Sequence, residues 1–345
     1  MGEKFFSLSL EDQAAAYYNA RKQLELNEFF LEKDIWIVFI LEELFNSPSK
    51  DNFIFKGGTS LSKAYKAIER FSEDIDLTLD IRHLLSGEKK MNPEGLPPTK
   101  TQARNWINLV RKRLSSYISE QFIPMMREGF NSKGFDVDFR IDGAFDDNLF
   151  IRYPSLWAPH PQGTPEIKVD FSARSTGEPY EELPVNCYMS SKFPDLEFPN
   201  IICRVMKFER TFYEKLTAIH IFCKEGQKTK LERFSRHFYD IHELMCHSRI
   251  QASLTEKSWM QMVVDNKKSF YPMKNAQGEY INYEDCLKGG LCLIPEGPMF
   301  KSLFEDYNAL LESKMIYGKT PTFQDILKNC EDVAKTINAL FDGKP

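Results

Sequence analysis

The stretch "FKGGTSLSKAYKAIERFSEDIDLTLD", residues 55–80, carries the pattern that decides the fold. Gly57 and Gly58 follow a short apolar run, "NFIF", and precede apolar residues at helical spacing. This order predicts a buried strand, a tight turn, and a helix with Thr59 or Ser60 as its N-cap. Because glycine lacks a Cβ atom, the turn can bring backbone close to a ligand, although many such turns use glycine for geometry alone.

Acidic residues follow the helix in strict alternation. The segment "DIDLTLDI" has a period of two, which is typical of a strand with one apolar face. Two carboxylates at positions i and i+2 of one face can bridge hard cations, and Mg²⁺ prefers a few carboxylates together with phosphate oxygens. The alternative is an ordinary solvent-facing strand. The acidic face carries Asp74, Asp76 and Asp80, and the apolar face carries Ile75, Leu77 and Leu79.

A third carboxylate would complete a two-metal site of the kind used in phosphoryl or nucleotidyl transfer. Asp170 in "EIKVDFSAR" is the best candidate, because it shares a strand face with Lys168 and Ser172 while the intervening residues are apolar. Asp80 and Asp138 are weaker alternatives.

The composition is that of a soluble protein of 345 residues with 42% hydrophobic and 28% charged residues. The longest apolar run, residues 35–45, is short and interrupted by Glu42 and Glu43, so it predicts a buried helix and no membrane span. No secretory signal is recognisable. Seven cysteines without CxxC pairs indicate free thiols in a reducing cytoplasm. His242 and Cys246 lack further ligands and are expected to be structural.

The net charge of −5 argues against binding nucleic acid over the whole surface. Two windows are nevertheless basic: residues 100–117 carry five cations and no acid, and residues 204–236 carry nine cations against four glutamates. They are either solvated helix faces or contact surfaces for single-stranded RNA. Aromatic side chains that could stack on bases there are Trp106, Tyr117, Phe212 and Tyr213.

The remaining pattern predicts an α+β fold: a mixed β-sheet flanked by helices, followed by a mainly helical C-terminal domain. Three strand candidates lie at residues 135–142, 148–156 and 166–174, and helical patterns dominate after Lys207. The predicted domains are residues 1–204, with N-terminal helices, and residues 205–345, which would complete the active site.

Several motifs together resemble the AbiEii/AbiGii nucleotidyltransferase toxins, a branch of the DNA polymerase β-like nucleotidyltransferase superfamily. The motifs are "KGGTSLSKAY", "RFSEDIDL", "IKVDFSARSTGEP", "EKLTAIH" and "RFSRHFYDIHEL". The resemblance runs from about Phe53 to Tyr307.

The resemblance implies an Mg²⁺-dependent enzyme, with Mn²⁺ as a possible substitute, that moves an NMP from an NTP to a hydroxyl group. Asp74 and Asp76 would bind the metals, and Asp170 would be a third carboxylate that draws the proton from the attacking hydroxyl. The other implied roles fall to Gly58, Thr59 and Ser60 at the phosphates, Arg70 before the aspartate pair, Lys215 near the triphosphate, and Asp240 in the last motif.

Three further residues are predicted to bind nucleotide: Gly57 beside Gly58, Lys63 in the following helix, and Arg236, which with Arg233 supplies counter-charge from the basic window. The chain departs from the family pattern at His237, where many members carry an acid, and at Ile241, where leucine is usual.

The expected function is therefore transfer of a nucleotide to RNA, in particular to the 3′ end of tRNA. The protein would be the cytoplasmic toxin of a toxin–antitoxin or phage-defence pair, and its partner would be a cognate antitoxin. Two alternatives stay open. Transfer could be aimed at a protein or small-molecule hydroxyl, or the chain could be a non-catalytic module that binds nucleotide or antitoxin.

Overall fold

The computed structural model describes residues 2–88, 91–142, 147–157, 163–225 and 232–341. Two compact units make up the chain: Met1–Lys66, Arg70–Lys89 and Asn105–Met206 form unit 1, and Ala67–Glu69, Lys90–Arg104 and Lys207–Pro345 form unit 2.

The strands are β1 (Glu3–Lys4), β2 (Phe53–Lys56), β3 (Ile75–Leu79), β4 (Asp138–Asp142), β5 (Asn148–Arg152), β6 (Glu166–Ser172), β7 (Tyr180–Asn186), β8 (Leu196–Glu197) and β9 (Asn200–Met206). The helices are α1 (Leu10–Leu24), α2 (Glu28–Asn46), α3 (Gly57–Lys63), α4 (Ile81–Leu84), α5 (Lys100–Tyr117), α6 (Ile123–Ser132), α7 (Phe208–Glu225), α8 (Ser235–Leu244), α9 (Ser248–Ser253), α10 (Lys257–Phe270), α11 (Pro298–Glu312) and α12 (Phe323–Phe341).

A seven-stranded mixed sheet organises unit 1, in the order β4-β5-β6-β3-β2-β9-β7. Strand β3 lies near its centre, antiparallel to β2 and parallel to β6. Apolar side chains at alternate positions of β6, Ile167 and Val169, are fully buried, while the residues between them are half-buried. The sheet therefore presents one polar face along β3 and β6.

Helix α2 forms the centre of the unit 1 core, packing against β6 and β9. Its N-cap is Asn27, whose side chain accepts a hydrogen bond from Phe30 N at 2.9 Å. Residues Phe29 to Leu41 are all buried, which fits the apolar run in the sequence. Trp36 and Phe39 pack edge-on against Phe135, with ring centroids 4.9 and 5.3 Å apart.

Unit 2 is helical. Helix α7 packs against α8 and α10, and α8 packs against α11 and α12. Asp306 of α11 caps α8 by accepting hydrogen bonds from the backbone N–H groups of Arg233 and Ser235, each at 2.6 Å. The expected α+β fold with a mixed sheet and C-terminal helices is confirmed.

Local boundaries differ from the sequence prediction in two places. Helix α3 begins at Gly57, two residues early, and ends at Lys63, and neither Thr59 nor Ser60 is its N-cap. Three residues after the end of α3, Lys66 has a left-handed φ of 52°, a value that a continuing right-handed helix does not contain. The helix predicted from Gln102 to Met126 runs from Lys100 to Ser132, with a π-helical turn at Ile118–Phe122.

Strands β7 and β9 were missed by the sequence reading. Strand β7 contains Pro184, which an edge strand tolerates and which obscures its pattern. Strand β9 sits beside β2 in the sheet interior. Among the described residues, no helix is long and apolar enough to cross a membrane.

Candidate active site

Two acidic strands lie side by side at the polar face of the sheet. Strands β3 and β6 pair in parallel, with Asp76 directly opposite Asp170. Asp74 stands immediately before β3, two residues from Asp76 and on the same face. All three aspartates are partly exposed. The strand register therefore places Asp170 on the strand adjacent to Asp74 and Asp76, the three residues that sequence reasoning proposed as metal ligands.

The ammonium group of Lys168 lies among these acids. Its Nζ is 2.9 Å from Oδ2 of Asp170, and the side chain is 32% exposed. Burial alone lowers the pKa of Lys168, but the hydrogen bond to Asp170 and the charges of Asp170, Asp74 and Asp76 outweigh burial and raise that pKa. A single cation thus interacts with all three carboxylates.

As the described side chains stand, no three carboxylate, imidazole or thiol groups are close enough together to hold a metal ion. An ammonium group balances the acids instead. The chemistry of the donors nevertheless fits Mg²⁺, because hard carboxylate oxygens on adjacent strands, open to solvent on one side, leave room for water and phosphate ligands. The other acids proposed for this role lie elsewhere: Asp80 binds Arg82 at 2.6 Å, and Asp138 is on the edge strand β4.

Glycine is required at position 57 for two reasons, the backbone conformation and the close approach of Asp76. Its φ is +75°, a left-handed value that favours glycine. A Cβ atom at this position would lie 2.0 Å from Oδ2, 2.6 Å from Cγ and 2.9 Å from Cβ of Asp76. Glycine therefore lets the turn approach the Asp76 carboxylate directly.

Gly58 has a different neighbour. A Cβ atom there would lie 2.6 Å from Nη2 of Arg70 and 2.9 Å from Oγ of Ser72. Arg70 is buried, and its Nη1 donates to the carbonyl oxygen of Phe71 at 3.3 Å. The guanidinium group thus supports the turn from inside the protein.

The hydroxyl groups of the turn are also used internally. Thr59 and Ser60 are fully buried. Oγ1 of Thr59 donates to the backbone carbonyl of Asp74, and Oγ of Ser60 donates to the carbonyl of Gly57 at 2.9 Å. The Thr59 hydrogen bond ties α3 to the start of the acidic strand, which fixes the glycine turn against the aspartate pair.

Lys63 takes part in a buried ion pair that sequence reasoning missed. Its Nζ binds Oδ1 of Asp34 on α2 and lies 3.7 Å from the ring centre of Tyr188. The other carboxylate oxygen of Asp34 accepts from Tyr188 N at 2.7 Å. In this structure the Lys63 ammonium is therefore held inside unit 1. Asp34 lies immediately before the apolar run of α2 and, like Glu32 and Lys33, is a buried charged residue of that helix.

Lys215 and Asp240 meet within unit 2. Nζ of Lys215 on α7 is 2.8 Å from Oδ2 of Asp240 on α8, and the side chains are 8% and 0% exposed. Arg236 is one turn earlier on α8, and its Nε donates to the carbonyl oxygen of Arg233 at 3.1 Å. The ring of His237 lies 4.8 Å from that of Phe234. The two family motifs on these helices are thus joined by a buried ion pair.

The prediction that aromatic side chains of the two basic windows form a surface for stacking RNA bases is wrong. The four aromatic side chains proposed for it are at most 4% exposed, so their rings belong to the core and cannot stack on a ligand. Part of the basic charge is also neutralised: Arg204 binds Asp51 at 2.8 Å, and Arg113 binds Glu88 at 3.3 Å. Lys228 and Lys230 of the second window lie outside the described residues. The buried rings are Trp106, Tyr117, Phe212 and Tyr213.

Comparison with known proteins identifies the family. A family model described as "Nucleotidyl transferase AbiEii toxin, Type IV TA system" matches residues 40–329. The chain belongs to the AbiEii nucleotidyltransferase toxin family. This AbiEii-family protein is therefore a nucleotidyltransferase and the toxin of a type IV toxin–antitoxin system, as the motifs predicted.

Among solved structures, the AbiEii-family chain is similar to MenT4, a nucleotidyltransferase toxin from Mycobacterium tuberculosis H37Rv. The two share 15% sequence identity and a TM-score of 0.45, over 96% of this chain and 99% of MenT4. A comparison with curated protein sequences gives no match.

The residue that sequence reasoning did not assign in this AbiEii-family site is Lys168. Its signal was present, because Lys168 and Asp170 alternate on one face of "EIKVDFSAR". Its relation to Asp74 and Asp76 depends on the parallel pairing of β3 with β6, which lie about 90 residues apart in the sequence and whose pairing local periodicity does not specify.

Proposed function

We propose that this toxin transfers an NMP from an NTP to a hydroxyl group of RNA, in particular the 3′ end of tRNA, with Mg²⁺ bound by Asp74, Asp76 and Asp170. The observation that carries the proposal is the register of β3 and β6, which sets Asp76 opposite Asp170 on the partly exposed face of the sheet. When bound, the divalent ions would neutralise charge that develops on the transferred phosphoryl group and on the attacking and leaving oxygens.

The chain's own residues divide the remaining work. Asp170 is proposed to accept the proton of the attacking hydroxyl, because it is the carboxylate on the neighbouring strand and is 42% exposed. The glycine turn at Gly57 and Gly58 is proposed to hold phosphate oxygens through its backbone, with the buried Thr59 and Ser60 fixing its shape.

The cationic side chains proposed for the site are assigned two different roles: support of the glycine turn and binding of phosphate. Arg70 and Lys63 are occupied inside unit 1, so we assign them the support of the glycine turn and of α3. Lys215 is proposed to serve the triphosphate, with Asp240 holding its ammonium group in position, and Arg236 is proposed as a further phosphate ligand.

Cellular context follows from the family and remains part of the proposal. A type IV toxin implies a cognate antitoxin, and a phage-defence role would suit that pair. The seven cysteines are all free thiols, which supports a cytoplasmic location. Transfer to a protein or small-molecule hydroxyl is the competing function, since nothing in the acidic site selects the acceptor.

The test is incubation of the pure protein with total cellular RNA, Mg²⁺ and each of the four α-³²P-labelled NTPs, resolved on a denaturing gel. Asp76→Asn keeps the size of the side chain and removes a charged metal ligand, so the labelled tRNA-sized band should disappear. Asp138→Asn is the matched control, because Asp138 lies on the same sheet at its far edge and is exposed. A band of equal strength in Asp76→Asn would refute the metal assignment. A labelled protein band without labelled RNA would redirect the acceptor.

A further inference from the structure

Lys168 forms an ion pair with Asp170, and the charges of the other two acids of the proposed metal site also act on it. It lies on β6 two residues before Asp170, on the same strand face as Asp170 and on the opposite face from the buried side chains of Ile167 and Val169. Its Nζ donates to Oδ2 of Asp170 at 2.9 Å. The charges of Asp74 and Asp76 on the neighbouring strand act on the same ammonium group.

The simplest explanation for the position of Lys168 is an ordinary ion pair between two residues on the same face of one strand. Such a pair on a solvent-exposed strand contributes little to stability, because water screens both charges and two long side chains lose freedom. The sheet contains that case as well: Arg140 on β4 binds Asp142 two residues later, with Nη1 and Oδ2 2.9 Å apart and both side chains more than half exposed. Lys168 differs because it faces three acids, and because it is less exposed.

Three neighbouring carboxylates repel one another unless a positive charge stands near them. In the protein without a divalent ion, the Lys168 ammonium contributes that charge and is hydrogen-bonded to Oδ2 of Asp170, one of the two oxygens that could bind a metal ion. A divalent ion at that oxygen and the ammonium hydrogen-bonded to it would repel each other, so the two cations compete for the Asp170 carboxylate.

We propose that Lys168 is a built-in counter-ion of the carboxylate site, and that a divalent cation binds by displacing its ammonium group from Asp170. The inference rests on the proposed metal site and assigns Lys168 a positioning role. The lysine keeps Asp170 oriented and the acids balanced until metal arrives, and its four-carbon stem then lets the ammonium move away from the oxygen it releases.

The consequence is a competition that can be measured without turnover. Removing the ammonium relieves the divalent ion of a competitor, so Lys168→Met should bind Mn²⁺ more tightly, by about tenfold given the size of partly screened charge interactions. The same variant should unfold at a lower temperature than wild type in EDTA, because its acids are left unbalanced. Adding Mn²⁺ should then raise its unfolding temperature more than that of wild type.

The experiment uses the full chain without NTP. Free Mn²⁺ is counted by electron paramagnetic resonance, and thermal unfolding is followed with EDTA and with Mn²⁺. Arg140→Met is the matched control, because it removes a cation two residues before an acid on the same sheet, and its Mn²⁺ affinity should equal that of wild type. Asp76→Asn shows whether the Mn²⁺ counted is bound at the proposed site.

Each outcome decides a separate point. If Lys168→Met binds Mn²⁺ more tightly than wild type and Arg140→Met does not, the displacement is supported. The same holds if Lys168→Met binds Mn²⁺ and wild type binds it too weakly to be measured. In a second outcome, wild type binds Mn²⁺, Asp76→Asn does not, and Lys168→Met binds Mn²⁺ as tightly as wild type or more weakly. That result overturns the role of Lys168 and leaves the metal site intact. Binding of Mn²⁺ by none of the variants, or equally by Asp76→Asn, overturns the metal site and the inference with it.

Discussion

Replacing Gly57 by alanine tests whether the glycine turn exists to approach the aspartate pair. Two costs are expected. Alanine at a φ of +75° loses about 1–2 kcal/mol of stability, because its Cβ crowds the backbone in the left-handed region. The new Cβ would also overlap Asp76, whose own Cβ lies 2.9 Å away.

The second cost cannot be removed by rotating the Asp76 carboxylate. Rotation relieves the contacts at 2.0 and 2.6 Å with Oδ2 and Cγ, but the Cβ of Asp76 is fixed by the pairing of β2 with β3, where Lys56 stands opposite Asp76. Ordinary contact needs about 3.4 Å, so the turn and the strand must separate by roughly 0.5 Å. Such overpacking costs about 1–3 kcal/mol.

Gly134 provides the matched control. Its φ is +82°, and a Cβ atom there would meet nothing within 4 Å. Gly134→Ala therefore carries the backbone cost without the overlap. We expect Gly57→Ala to be about 1–3 kcal/mol less stable than Gly134→Ala in guanidinium unfolding monitored by circular dichroism.

Transfer activity should separate the two variants more widely. A misplacement of 1 Å can lower a rate by about a hundredfold, so a shift of roughly 0.5 Å should lower RNA labelling by Gly57→Ala about tenfold at a temperature where it is folded, while Gly134→Ala keeps wild-type labelling. Equal stability and equal labelling in the two variants would refute the argument that Gly57 makes room for Asp76.

Three further predictions concern buried charges. Lys63→Met should lower the free energy of unfolding in urea by about 3–5 kcal/mol, because it leaves Asp34 buried without its partner. The double variant Lys63→Met/Asp34→Asn should recover part of that free energy. A single variant as stable as wild type would contradict the contribution of the buried pair. Burial raises the pKa of Glu32 to about 7, so the folded state binds the extra proton and stability falls as pH rises from about 4.5 to 7, by about 3 kcal/mol from this group. Glu32→Gln should lose that slope, and parallel curves would refute it. Lys215→Met should be destabilised, and Lys215→Met/Asp240→Leu should regain stability without regaining transfer; restored transfer would remove Lys215 from the chemistry.

The sequence by itself determined the order of strand, glycine turn, helix and strand within residues 55–80, while the bounds of the helix came from the structure. Alternation in "DIDLTLDI" specifies which residues share a face, because the side-chain period of a strand is fixed at two. The glycines mark a turn since few other residues adopt a positive φ. The family motifs carried the class of enzyme, and the match over residues 40–329 confirms it.

Tertiary structure alone decided which of these residues meet. The pairing of β3 with β6 joins segments about 90 residues apart, and register between distant strands depends on packing of the whole sheet. The same holds for burial: Trp106 and Lys63 have sequence contexts that suit a ligand surface, yet the core covers both. Lys168 acquires Asp74 and Asp76 as neighbours only through that pairing, because local periodicity describes a strand's faces and contains no information about the strand beside it.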